Sequence, residues 1–72
     1  MLYDYSKLKG RIVEKCGTQR DFAKAMNLSY RSISLKLNNK VAWSQDDIQK
    51  AMEVLSFEPE EIQNYFFAIK VQ

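Results

Sequence analysis

Histidine is absent from this sequence of 72 residues, and cysteine occurs once, as Cys16. Without these side chains, the common zinc ligand sets and the Ser-His or Cys-His pairs of nucleophilic catalysis cannot be assembled. A single cysteine also excludes a disulfide within the chain, which suits a reducing compartment. We therefore expect a cytoplasmic protein that is not an enzyme and holds no metal ion or cofactor.

Long apolar runs are also missing, since none approaches the ~20 residues of a membrane span. The first five residues lack the basic and then apolar pattern of a signal peptide. A domain of this length buries only ~60% of its unfolded surface, which makes a deep substrate cleft unexpected. We expect one domain over residues 1–72, nearly complete because it begins with Met1, with no membrane contact and no small-molecule substrate.

Motifs for phosphate binding and for acid-base catalysis are equally scarce. Gly10 and Gly17 are isolated and form no phosphate-binding loop. The acidic pairs at 46–47 and 60–61 fall in the first turn of predicted helices, where carboxylates stabilise the positive helix end without chemistry. We interpret both pairs as structural.

Charge is distributed unevenly along the chain, although its net value is only +2. Residues 1–40 contain nine basic and three acidic side chains, a net charge of +6, whereas residues 41–72 contain two basic and six acidic ones, a net charge of −4. A basic half suits a polyanion such as DNA, because lysine and arginine neutralise phosphates and release counterions. The alternative interpretation is a solvated, lysine-rich surface without a polyanionic partner, which would have the same composition.

Residues 18–37 carry the signals of two short helices with little chain between them. Thr18 is typical of an N-cap, with Asp21 three residues later, and Ser29 can cap the second helix. Helices joined this tightly must cross steeply, as in a helix-turn-helix. Their facing sides are predicted to be Phe22, Ala23, Met26, Ile33 and Leu37.

Three further helices complete the prediction of an all-α fold. One precedes the pair and ends at Gly17, a fourth is capped by Ser44, and a fifth begins at Pro59. The fifth helix is expected to continue through Ile69, although residues 67–71 also alternate as a short strand would.

The pattern resembles the phage repressor and Cro-type helix-turn-helix family, also called XRE-type, and in particular its short Gram-positive phage and prophage members. The matching residues are Gln19, Phe22, Ala23, Met26, Leu28, Ser29, Ile33 and the stretch Lys36-Leu37-Asn38-Asn39-Lys40. Where this family has a turn glycine, the chain has Asn27, which tolerates the left-handed conformation. The resemblance implies a five-helix, repressor-like DNA-binding domain with the helix-turn-helix at helices 2 and 3.

The resemblance also implies that the second helix of the motif enters the major groove of double-stranded DNA. Arg31 is the predicted base reader, because a guanidinium can pair bidentately with guanine. Leu35 is expected to lie on the outward face, where it would meet a thymine methyl. The alternative is that it packs on helix 4 or on a second copy of the chain. Tyr30 and Ser34 either touch bases or serve as ordinary packing and surface residues. Asn38 shares the outward face with Arg31.

Phosphate contacts are expected at the edges of the motif, where they position a protein without reading sequence. Gln19 opens the first helix of the motif, where relatives hold a phosphate. The others are Ser29, Ser32, Lys36, Asn38, Asn39 and Lys40. A merely solvated side chain is the alternative for each.

The C-terminal segment, about residues 65–72, is predicted to make a homodimer through Phe67, Ile69 and Val71. Two copies would place two recognition helices on a two-fold-related operator. The sequence thus predicts a transcriptional regulator, a phage or prophage repressor. The alternative is a protein-binding module, such as an antitoxin or antirepressor, that uses the same fold for a protein partner.

Overall fold

The computed structural model describes residues 2–71. Its α-helices are α1 (Ser6–Cys16), α2 (Gln19–Ala25), α3 (Tyr30–Leu37), α4 (Gln45–Leu55) and α5 (Ile62–Phe66), and a 3₁₀ turn at Pro59–Glu61 leads into α5. Within residues 2–71 the only β structure is one isolated bridge. The prediction of an all-α fold with five helices is confirmed. None of the helices described is both long and apolar enough to cross a membrane.

The core forms where α1 meets the other helices. α2 packs on both α1 and α3, and α1 also contacts α4 and α5. The buried side chains are Tyr5, Leu8, Ile12, Phe22, Ala23, Met26, Ile33, Leu37, Ala51, Leu55, Phe57 and Phe66. Each of the larger ones stabilises the fold by about 1.5–3 kcal/mol through its removal from water. All residues predicted for the facing sides of α2 and α3 belong to this set.

Asn27 makes the turn between α2 and α3 in the left-handed conformation, with a φ of 58°. Its N–H donates to the carbonyl of Lys24, and the N–H of Leu28 donates to the carbonyl of Ala23. These two hydrogen bonds form a Schellman ending, in which the left-handed residue closes the helix and redirects the chain. The turn predicted at Asn27 is confirmed.

Hydroxyl groups cap the starts of three helices. Those of Thr18, Ser29 and Ser44 each accept from the backbone N–H three residues later, at 3.0–3.1 Å. At Ser44 the capping box is complete, because a carboxylate oxygen of Asp47 accepts from the Ser44 N–H at 3.0 Å. The predicted starts of α2, α3 and α4 therefore rest on the local chemistry that the sequence indicated.

Arg11 of α1 holds the C-terminal end of α4. Its Nε donates to the carbonyl of Leu55 at 2.9 Å, and its Nη2 donates to the carbonyl of Ser56 at 2.8 Å. Ser56 has a φ of 56°, a conformation that few residues other than glycine adopt. The guanidinium thus satisfies two carbonyls at a helix end that lacks a glycine.

The C-terminal segment differs from the predicted fifth helix. α5 ends at Phe66, and Ile69 forms an antiparallel bridge with Tyr3. Two backbone hydrogen bonds, of 2.7 and 3.1 Å, join residues 2–4 to residues 68–70, and we call these two segments the terminal ribbon. The helical prediction for Ile69 is wrong because pairing with the N-terminal segment supplies backbone partners that compete with another helical turn.

We expect Asn27→Gly to leave stability unchanged or slightly increased, because glycine adopts a positive φ without strain. Asn27→Val should lose about 1–2 kcal/mol, the cost of placing a branched side chain in the left-handed region. Thermal melts of both variants test this. Equal melting temperatures would contradict the strain assigned to this turn.

Arg11→Ala should reduce the free energy of unfolding by about 1–3 kcal/mol, because two carbonyls at the end of α4 lose a charged donor. Lys7→Ala is the matched control, since Lys7 is exposed on the same helix, and it should change stability by less than about 0.5 kcal/mol. Urea denaturation of the three proteins provides the measurement. Similar losses in both variants would argue against the role assigned to Arg11.

Candidate recognition surface on helices 2 and 3

The N-terminal half of α3 presents an exposed tyrosine and an exposed arginine. Tyr30 is 44% exposed, and Arg31 beside it is also exposed. The guanidinium carbon of Arg20, on α2, lies 4.6 Å from the centre of the Tyr30 ring, within the range of a cation–π contact. Arg20 and Lys24 lie one turn apart on α2, and both are exposed. We call these four residues the α2–α3 basic surface.

Lys36, predicted to hold a phosphate, is directed into the protein instead. Its Nζ lies 2.9 Å from Oδ2 of Asp47, donates to the carbonyl of Ala42 at 3.1 Å, and lies 5.8 Å from the centre of the Trp43 ring. Only 11% of the Lys36 side chain is exposed. The ion pair connects α3 to the capping box of α4 and uses the charge that was expected to face DNA.

The ion pair also affects the acidity of Asp47. Burial alone would raise the pKa of this carboxyl group, but the hydrogen bond from the Ser44 N–H and the adjacent Lys36 ammonium together lower the pKa below its ordinary value of 3.8. Asp47 is therefore held in its charged form by the same contacts that fix the start of α4.

Asn39, also predicted to hold a phosphate, has a structural role that the sequence analysis missed. Its Oδ1 accepts from the N–H of Tyr3 and its Nδ2 donates to the carbonyl of Tyr3, both at 3.0 Å. Its backbone is left-handed, with a φ of 62°, and closes α3 in the same way that Asn27 closes α2. The sequence did contain a signal for this role. Asn39 follows the predicted end of a helix, as Asn27 does, and that position had correctly located the turn after α2.

Three more predicted contacts are engaged with the chain itself. Nδ2 of Asn38 donates to the carbonyl of Ser34 at 2.8 Å. The hydroxyl oxygens of Ser29 and Ser32 lie 3.1 Å apart, and Ser29 is occupied as the cap of α3. Ser29 and Asn38 are exposed and Ser32 is half-buried, and these contacts orient all three side chains.

The remaining predicted DNA contacts differ in their exposure to solvent. Leu35 is half-buried rather than exposed. The chain after α3 folds back, and the N–H groups of Lys40 and Val41 both donate to the Leu35 carbonyl. Gln19 is half-buried at the first position of α2, and the side chain of Lys40 is exposed. Part of the Leu35 side chain is therefore covered within the molecule, contrary to the expected exposure.

The residues predicted for the dimer interface lie on the surface. Phe67, Ile69 and Val71 are 40%, 49% and 89% exposed. The Phe67 ring meets the Tyr3 ring edge-on, with 5.8 Å between the ring centres. Phe67 therefore covers part of the terminal ribbon while it keeps an exposed face.

These features define the chain as a small all-helical domain in which a tight two-helix unit carries an exposed basic surface. The chain belongs to the family described as protein of unknown function (DUF739), whose profile matches residues 1–69.

Among solved structures, the chain is similar to the solution structure of the modulator of repression (MOR) of the temperate bacteriophage TP901-1 from Lactococcus lactis. The two sequences are 58% identical over 100% of this chain and 97% of that chain, with a TM-score of 0.84. A comparison with curated proteins gives no match. The solved relative is thus a phage regulator, and the resemblance to the repressor and Cro-type family remains an expectation.

Because the fold lowers the pKa of Asp47, the ionised carboxylate contributes stability above its unfolded pKa, and this contribution is lost as the pH falls through the folded pKa. Asp47→Asn should reduce stability by about 1–3 kcal/mol near neutral pH, and the difference from wild type should shrink below about pH 4. Asp46→Asn is the control, since Asp46 is exposed in the same helical turn. Urea melts across this pH range provide the measurement. A difference that does not vary with pH would exclude the ion pair as its source.

Proposed function

We propose that this protein is a phage or prophage regulator that modulates repression by binding a repressor protein through the α2–α3 basic surface. The observation that carries the proposal is the 58% identity, over the full chain, to a phage modulator of repression. Binding to the repressor itself is a direct way for a protein to modulate repression. Identity at this level over a domain of 72 residues supports a shared regulatory role.

The side-chain contacts favour a protein partner over the DNA backbone. A DNA reader needs free cations and amides at the edges of its recognition helix. Lys36 is paired with Asp47, and the side-chain amide of Asn39 is bonded to Tyr3. The side chains that remain exposed on α3 include Tyr30 and Arg31, the residue types that dominate the energetics of protein interfaces.

The chemistry of the surface identifies the kind of partner. Arg20 lies against the ring of Tyr30, so that a cation and an aromatic face are presented together. Lys24 and Arg31 add positive charge, and Asp21 is the single acidic side chain on α2 and α3. An acidic patch on a repressor, with an apolar residue for the Tyr30 ring, would complement it and speed association.

Direct DNA binding is the second candidate, and the exposed cations support it. Arg31 is free to pair with guanine, and Lys40 remains exposed just beyond α3. In this case the protein would act on an operator as a transcriptional regulator. Its affinity would fall steeply with salt, by about 0.9 in log K per unit of log salt for each phosphate neutralised.

We expect Tyr30→Ala and Arg31→Ala each to weaken binding to the purified repressor of the same phage or prophage by at least about tenfold, because exposed tyrosine and arginine are frequent hot spots. Lys50→Ala is the matched control, since Lys50 is exposed on α4, and it should bind as wild type does. Titration calorimetry measures the affinities, and circular dichroism verifies the fold of each variant.

Gel shifts with duplex operator DNA separate the two candidates. The proposal predicts that the protein alone does not shift the operator and that it changes the shift produced by the repressor. A shift by the protein alone, with Arg31→Ala losing about 1–3 kcal/mol at one base position, would establish DNA reading instead. Wild-type protein that binds neither the repressor nor the operator would refute both candidates.

A further inference from the structure

The terminal ribbon has two edges, and they differ. Tyr3 and Ile69 lie opposite each other, and the hydrogen bonds between the two segments run through the residues on either side of this pair. Backbone groups alternate in direction along an extended segment, so the N–H and C=O of Tyr3 and of Ile69 point outward, away from each other. Each edge of the ribbon thus presents one donor and one acceptor from a single residue.

The edge at Tyr3 is closed by a side chain. The amide of Asn39 accepts from the Tyr3 N–H and donates to the Tyr3 carbonyl, both at 3.0 Å. It takes the place that a third strand would occupy. No further strand can add on this side while Asn39 stays in position.

The edge at Ile69 is open. Within residues 2–71, neither the N–H nor the C=O of Ile69 has a hydrogen-bond partner. The Ile69 side chain is 49% exposed, and that of Val71, two residues later, is 89% exposed. An unpaired and apolar edge of this kind is a template for pairing with another strand.

We propose that the Ile69 edge pairs with the same edge of a second copy, antiparallel and about a two-fold axis. The two Ile69 residues then exchange N–H to C=O hydrogen bonds, as a hydrogen-bonded antiparallel pair does. In this register Ala68 of each copy lies opposite Lys70 of the other, so that like charges never meet. The edge is therefore complementary to itself in side chains as well as in backbone.

The closed edge at Tyr3 determines the size of the assembly. A ribbon open on both sides would add copies without limit, whereas one open edge permits a closed pair only. The proposed complex is thus a homodimer and not a fibre. This homodimer requires neither a repressor nor DNA.

Amide hydrogen exchange of the wild-type protein, measured by NMR at several concentrations, tests the proposal directly. The Lys70 N–H bonds to the carbonyl of Leu2 within one chain and should be protected at every concentration. The Ile69 N–H should exchange freely in dilute protein and become protected as the concentration rises. An Ile69 amide that stays unprotected while a dimer is present would overturn the proposal.

Sedimentation equilibrium with variants provides the second arm. Ile69→Lys should weaken dimerisation by about tenfold or more, because two lysines would face each other at the two-fold axis. Val13→Lys is the control, since Val13 is 61% exposed on α1, and it should dimerise as wild type does. A wild type that remains monomeric at millimolar concentration, or an Ile69→Lys protein that still dimerises, refutes the paired edge.

Discussion

The pair of hydrogen bonds between Asn39 and the backbone of Tyr3 is the contact on which the arrangement of both termini depends. Asn39 closes α3 with a left-handed residue and, from that position, holds the N-terminal segment with its side chain. The N-terminal segment in turn pairs with residues 68–70. One asparagine thus connects the end of α3 to both ends of the chain, and it leaves the ribbon with a single open edge.

Some cations in the basic half of the chain are used inside the molecule, and others remain exposed. Arg11 and Lys36 are employed inside the molecule, where one satisfies the end of α4 and the other pairs with Asp47 at its start. Both ends of α4 are therefore held by cations from neighbouring helices. The cations of the α2–α3 basic surface remain exposed. A count of charges along the sequence overstates the positive charge that a partner meets, because it includes the cations that are paired inside the molecule.

The same helical frame suits a DNA reader and a protein-binding regulator, since function depends on the site and not on the fold. The two uses differ in the side chains that they require around α3. A DNA clamp needs free phosphate ligands at its edges, whereas a protein interface needs an anchor with complementary charge around it. In the proposed interface Tyr30, with Arg20 against its ring, takes the place of this anchor, whereas Lys36 is held in an internal ion pair.

Local features of the sequence determined the helices, because caps, left-handed residues and helical periodicity act over three or four residues. Thr18, Asn27 and Ser44 mark their boundaries correctly for this reason. Only the tertiary structure decided which polar side chains are bonded inside the molecule and which are left for a binding partner. The ion-pair partner of Lys36 is Asp47 on α4, and the partner of Asn39 lies 36 residues away. The end of α5 was also decided by a long-range contact. The pattern of residues 67–71 suits both a helix and an extended segment, and pairing with the N-terminal segment selects the extended one.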